Sequence, residues 1–95
     1  MDIVQALMRT LTLVESSTDS AWSHTPAADV AEELRRAIAA LEAGKGLDRR
    51  GLALLFAPTG PIQEISFDNG WGDEGLVLAA AVDEYLAQGR KPRPR

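Results

Sequence analysis

Cysteine is absent from the chain. Its absence removes disulfides, thiolate metal sites and a cysteine nucleophile at once. Histidine occurs once, at His24, and a single histidine without cysteines does not make an ordinary zinc site. As a general base His24 would need an orienting partner. Asp19 stands in the same loop, but a surface or capping role is the expectation for the histidine. The GxxxxGK[ST] pattern that cradles phosphates is missing, so the glycines and prolines of APTGP read as a rigid reversal between helices. No apolar run approaches the ~20 residues of a membrane-spanning helix. The opening MDIVQALMRTLTLVESS has an acid at position two and polar residues throughout, unlike a secretory signal. These absences predict a cytoplasmic protein with no cofactor, no metal site and no membrane partner.

What is present fits one small soluble domain of 95 residues with ordinary apolar and charged content. A chain of this size buries roughly 60–65 % of its unfolded surface, so its core is small. The net charge of −4 hides an asymmetry. The last six residues, RKPRPR, carry four positive charges, which leaves six basic and fourteen acidic groups in residues 1–89. An acidic body repels nucleic acid and steers basic partners toward it. Four charges on the tail, with no basic recognition helix, read as a mobile solvated terminus over 90–95. Arginine outnumbers lysine eight to two and alanine is abundant, a composition that suits a high-GC bacterial genome.

Hydrophobic periodicity predicts an all-α fold. Ile3, Leu7, Leu11 and Val14 share one face of a helix over 2–16, which Val4 and Met8 widen. The serines, Thr18 and Asp19 of 16–24 break the pattern. A second helix covers 26–43, with Thr25 as N-cap, Pro26 in the first turn, and Val30, Leu34, Ile38 and Leu41 inward. Glu32 and Arg36 form an i,i+4 pair on its outer face, and Gly44 supplies a left-handed stop. Asp48 caps a third helix over 49–56, with Leu47 stapled to Leu52 and Pro58 as terminator. The last helix runs over 73–88. Leu78, Val82, Tyr85 and Leu86 form its buried stripe, Ala79, Ala80 and Ala81 allow close approach, and Gly89 ends it. Residues 61–69 are ambiguous. Gln63, Ile65 and Phe67 alternate like a strand, whereas Pro61 at a start, Ile62 with Ile65, and Asn69-Gly70 at a stop suit a short helix. No second strand exists to pair with it, so the helix is expected. The architecture is then a compact bundle of four main helices plus one short one over 1–89, with no internal repeat.

The segment LFAPTGPIQEISFDNGWGDEG concentrates whatever chemistry the chain has. A calcium loop starting at Asp68 would put Gly70 and Gly72 at the third and fifth ligand positions, so the EF-hand spacing fails. Glu64 and Asp68 stand at i,i+4 with Asp73 and Glu74 close behind. Adjacent carboxylates can split their pKa values for acid–base work. No nucleophile or oxyanion hole accompanies them, and caps and surface charges are the plainer reading. Trp22 reads as a core cap. Trp71 is either a core cap with its indole N–H bonded to backbone or a binding anchor inside an acidic rim.

The stretch LEAGKGLDRRGLALLFAPTGPIQEISFDNGW resembles a group of small bacterial helical proteins without assigned activity. In them a helix pair with an intervening tryptophan precedes an LF…G…(E/D)(I/L) segment and an Asn-Gly. Here those features are Trp22, Leu55-Phe56, Gly60, Glu64-Ile65 and Asn69-Gly70, within roughly 3–86. The chain departs from the pattern with Pro58-Thr59 where the resemblance implies glycine. Some of these proteins look like immunity proteins of toxin systems, and no catalytic residue comes with the resemblance. The expectation is therefore a non-enzymatic protein-binding module, a monomer or weak dimer. It would meet a basic partner through Glu64, Asp68, Trp71, Asp73 and Glu74. The alternative is a small ligand-binding or enzymatic domain using Glu64 and Asp68 in a pocket near Trp71.

Overall fold

A computed structural model describes residues 1–19 and 25–90, with backbone alone at 89 and 90. Trp22, His24 and the tail residues 91–95 lie outside the described residues. Among the described residues five helices follow one another: α1 (Ile3–Glu15), α2 (Ala27–Glu42), α3 (Arg49–Leu55), α4 (Pro61–Asp68) and α5 (Gly72–Arg90). The fold is all-α, and the segment with strand-like alternation is helix α4.

Local chemistry sets the helix ends. Asp2 accepts from the Gln5 N–H at 2.8 Å while the Gln5 side chain accepts from the Asp2 N–H, a reciprocal capping box. Asp48 caps α3 through the Gly51 N–H. The expected Thr25 cap on α2 is corrected. Pro26 itself is the N-cap, in extended conformation, and α2 starts at Ala27. Its first N–H is accepted by the Asp19 carboxylate at 2.7 Å, so the cap reaches in from the preceding loop. At the other end Gly44 (φ +68°) closes α2. The Lys45 N–H reaches the Ala40 carbonyl and the Gly44 N–H reaches Leu41, the paired bonds of a Schellman stop. Helix α5 continues through Gly89 to Arg90 instead of ending at the glycine. One glycine in a last turn costs only about 1 kcal/mol.

The core is one cluster. Leu7, Val14, Val30, Leu34, Phe56, Ile62, Ile65, Leu78 and Val82 are all essentially inaccessible to solvent. Full burial of each is worth about 1.5–3 kcal/mol. Helix α1 packs most extensively on α2, and it also contacts α4 and α5. Arg49 ties α3 to the far half of α5, its guanidinium 5.2 Å from the Tyr85 ring centroid and donating to the Leu86 carbonyl at 3.1 Å. Two expected core positions point out instead. Met8 is half exposed and Ala80 is exposed. On α1 the inward positions beside Leu7 and Val14 are Ala6 and Thr10. Thr10 is buried because its hydroxyl donates to the Ala6 carbonyl at 2.7 Å.

The reversal between α3 and α4 depends on Gly60. A Cβ there would sit 2.5 Å from the Leu54 carbonyl oxygen, 2.9 Å from that of Leu55 and 3.0 Å from that of Ala57. All three are backbone atoms, so the turn cannot yield by moving a side chain. Gly60→Ala is expected to destabilise the protein by about 2–3 kcal/mol, read as a lower urea midpoint with unchanged slope. A midpoint equal to wild type would show that the turn opens freely.

Candidate functional site

The segment 64–74 is a helix end, a left-handed turn and a helix start. Gly70 (φ +82°) takes the conformation that glycine adopts without penalty. The Trp71 N–H then returns to the Ser66 carbonyl at 2.9 Å, and the Trp71 carbonyl accepts from Gly75 to begin α5. Gly75 faces the Ser66 side chain, with its missing Cβ only 2.8 Å from Oγ, so α4 and α5 pack closely there.

Asn69 fastens this turn to the end of α1. Its Oδ1 accepts from the Thr18 N–H at 3.0 Å and from the Thr18 hydroxyl at 3.2 Å. Its Nδ2 donates to the Thr18 carbonyl at 3.0 Å and to the Ile65 carbonyl at 2.9 Å. Only one orientation of the amide satisfies all four contacts. Asn69-Gly70 is therefore both a helix stop and a tertiary clamp. Trp71 adds a second bond to the same loop. Its indole N–H donates to Ser17 Oγ at 2.9 Å, and that hydroxyl donates on to the Leu13 carbonyl at 2.7 Å. Trp71 is half-buried against the core. The burial fits the core-cap reading of this tryptophan, with the Ser17 hydroxyl taking the indole N–H in place of the expected backbone carbonyl.

The acidic residues are in four different situations. Glu74 is paired with Arg9 of α1 through two bonds, Nε to Oε2 at 2.6 Å and Nη2 to Oε1 at 2.9 Å. The guanidinium's hydrogen bonds hold the Glu74 carboxyl below the usual carboxylate range, and the same bonds raise Arg9. Asp73 is exposed at the start of α5. Asp68 is exposed at the last turn of α4, and Glu64 lies one turn earlier, half-buried.

A shallow groove of about 380 Å³ runs beside the turn, lined by Phe67, Gly70, Trp71, Gly72, Asp73 and Glu74. Three of the five expected residues, Trp71, Asp73 and Glu74, line it together. Glu64 and Asp68 are not among its lining residues; they stand one turn apart on α4. Phe67 is the lining residue the sequence reading missed. It is 63 % exposed. Once α4 starts at Pro61 with Ile62, Ile65 and Ser66 inward, helical register turns position 67 outward. Other depressions lie between α2 and α3 near Leu47 and Asp48, and between α1 and α2 near Asp19 and Arg35. Among the described residues no group of three histidine, aspartate or glutamate side chains is placed to hold a metal ion. Nor is any described helix long and apolar enough to cross a membrane. No protein-family model, curated protein or solved structure matches the chain.

The Arg9–Glu74 pair has a sign that can be measured. A carboxyl held low in the folded state adds stability above its unfolded pKa and loses it as pH falls through the lowered value. Arg9→Gln is expected to raise the Glu74 titration midpoint seen by side-chain NMR. The stability gap between wild type and variant should close as the solution is acidified below that midpoint. An unchanged Glu74 midpoint in Arg9→Gln would mean that the two groups are not paired in solution. In the clamp, Asn69→Ala is expected to cost about 1–3 kcal/mol and to speed exchange of the Thr18 amide proton. Thr18 protection equal to wild type would remove Asn69 from its role.

Proposed function

We propose that this chain is a non-enzymatic protein-binding module, of the immunity type, that engages a basic partner through the turn face between α4 and α5. The observation that carries this reading is Phe67, a large aromatic left 63 % exposed beside Asp68, Asp73 and the open edge of Trp71. Aromatic side chains, Phe among them, are enriched at the centres of protein interfaces inside a polar rim. The backbone under this anchor is fixed by the Asn69 and Trp71 bonds to residues 17 and 18, so little ordering entropy opposes docking. The five expected residues divide within this face. Asp68 and Asp73 are exposed, and Asp73 is available to a cation. Glu74 is occupied by Arg9, Trp71 is a floor, and Glu64 is a margin.

Because Trp71 packs on the core, the decisive substitution is Phe67→Ser, not a change at Trp71. Leu54, 62 % exposed on α3, provides an equally apolar control elsewhere on the surface. Tagged wild type, Phe67→Ser and Leu54→Ser would be used as baits in a lysate of the source cells. The expected result is one stoichiometric partner of basic isoelectric point, kept by wild type and Leu54→Ser and lost by folded Phe67→Ser. A partner retained by Phe67→Ser and lost by Leu54→Ser would move the interface to α3 and overturn this assignment.

A further inference from the structure

Helix α5 has two apolar sides. Leu78, Val82 and Leu86 face the core, between 0 and 3 % exposed. On the opposite side Leu76 is 52 % and Val77 60 % exposed, with exposed Ala80 one turn on. A helix on the surface of a lone domain ordinarily shows one apolar stripe and a polar outer face. The outer stripe of α5 is also continuous with the turn face. A Cβ on Gly72 would stand 2.6 Å from Phe67 Cδ1, so the Phe67 ring occupies the place of a side chain at position 72. Positions 72, 76 and 80 follow one another at one-turn spacing. Phe67, Leu76, Val77 and Ala80 therefore form one apolar strip.

The charged residues that α4, the turn and α5 contribute up to Gly89 have a single sign. Residues 51–89 contain Glu64, Asp68, Asp73, Glu74, Asp83 and Glu84, and no lysine or arginine. Asp73 marks one end of the strip and Asp83 with Glu84 the other, ten to eleven residues or ~16 Å apart along the helix. Among the described residues the side chains of Asp73, Asp83 and Glu84 form no ion pair or hydrogen bond, and Arg9 is taken by Glu74.

We propose that the binding face extends from Phe67 along the outer side of α5 to Glu84. Its occupant is an amphipathic helix of a partner protein, apolar in the middle and basic at both ends. The proposal rests on the reading of the α4–α5 turn as the binding face, and it adds the extent of that face and the form of the partner. A helix face offers no unpaired backbone edge, so the match is a second helix with apolar residues at i, i+3, i+4 and i+7. A second copy of this chain is a poor occupant. Two α5 strips laid together, in either direction, set acids against acids at both ends. Anionic lipid surfaces and nucleic acid are repelled by the same charges.

The test uses the full chain and an 18-residue leucine–lysine peptide, helical, with leucines at i, i+3, i+4 and i+7 and lysines clustered at each end. The companion peptide carries glutamate at every lysine position. Calorimetry should show binding of the lysine peptide and none of the glutamate peptide. Amide shifts should move in residues 67–84. Val77→Ser, Glu84→Lys and Phe67→Ser are each expected to weaken binding about tenfold, while Leu54→Ser leaves it unchanged. Weakening by Phe67→Ser alone would overturn the extension along α5 and leave the turn-face reading standing. No binding, or binding indifferent to all three variants, would overturn the helical partner. The Phe67→Ser capture would then decide the turn face by itself. A mass that doubles with concentration and returns to monomer in Val77→Ser would identify a second copy as the occupant and overturn the proposal.

Discussion

The surface of this protein depends on one hydrogen-bonded clamp, the side-chain amide of Asn69 against Thr18, with the Trp71 indole on Ser17 beside it. These residues are more than fifty positions apart in sequence. Together the bonds fix the α4–α5 turn on the end of α1, and with it the rotation of α5 about its own axis. That rotation decides which residues of α5 become core and which face water. The clamp is made of neutral hydrogen bonds in a half-exposed setting, each worth about 1 kcal/mol net. Its effect is geometric more than energetic. The energy comes from the apolar side chains that the geometry seats, Ile62, Ile65, Leu78 and Val82.

Charge is arranged on the same scaffold. Arg9 is a cation paired with the segment 64–74, and it holds Glu74 through two bonds. That pair joins α1 to α5 near the clamp. As the partner number rises from Trp71 to Glu74 on α5, it falls from Ser17 to Arg9 on α1, so the two helices run antiparallel. The other pairs, Arg35 with Glu15 and with Glu32, and Arg36 with Glu32, sit on α1 and α2 away from the turn. Exposed pairs of this kind add little stability. The charged residues that α4 contributes, and those of α5 up to Gln88, are all acidic.

Much of the fold was legible because the signals were short in range. Asp48 with Gly51, Gly44 after Glu42, Pro61 at a start and Gly70 at a stop each act within four residues, and a pattern along the chain captures them. The misses all involve distance. The cap on α2 comes from Asp19, eight residues away, so Thr25 looked like the natural choice. Met8 looked like core because apolar character is visible in a sequence and azimuth is not. Thr10 is buried because a threonine in a helix can satisfy its hydroxyl on its own preceding turn, which composition does not reveal. Glu64 and Asp68 share one helix face as their spacing implies, while Phe67, which lines the groove at the turn, carries no charge to mark it. Phe67 was hidden behind the choice between strand and helix. An alternating pattern groups it with Ile65, and a helical one turns it away.

The outer face of α5 sets a condition on any account of this protein. Two half-exposed branched aliphatics and an exposed phenylalanine are costly to leave in water, each by roughly 1 kcal/mol or more. A solitary domain would gain solubility from polar residues at 67, 76 and 77, and nothing in the packing forbids them, since all three side chains point outward. In the proposed reading the acids at 73, 83 and 84 flank the apolar middle of the strip and oppose self-association at its ends. A face that is sticky at its centre and repulsive toward its own kind suits a complementary surface of opposite charge. Within the proposed reading, the clamp that builds the core and the strip that meets the partner are thus two consequences of one rotation of α5.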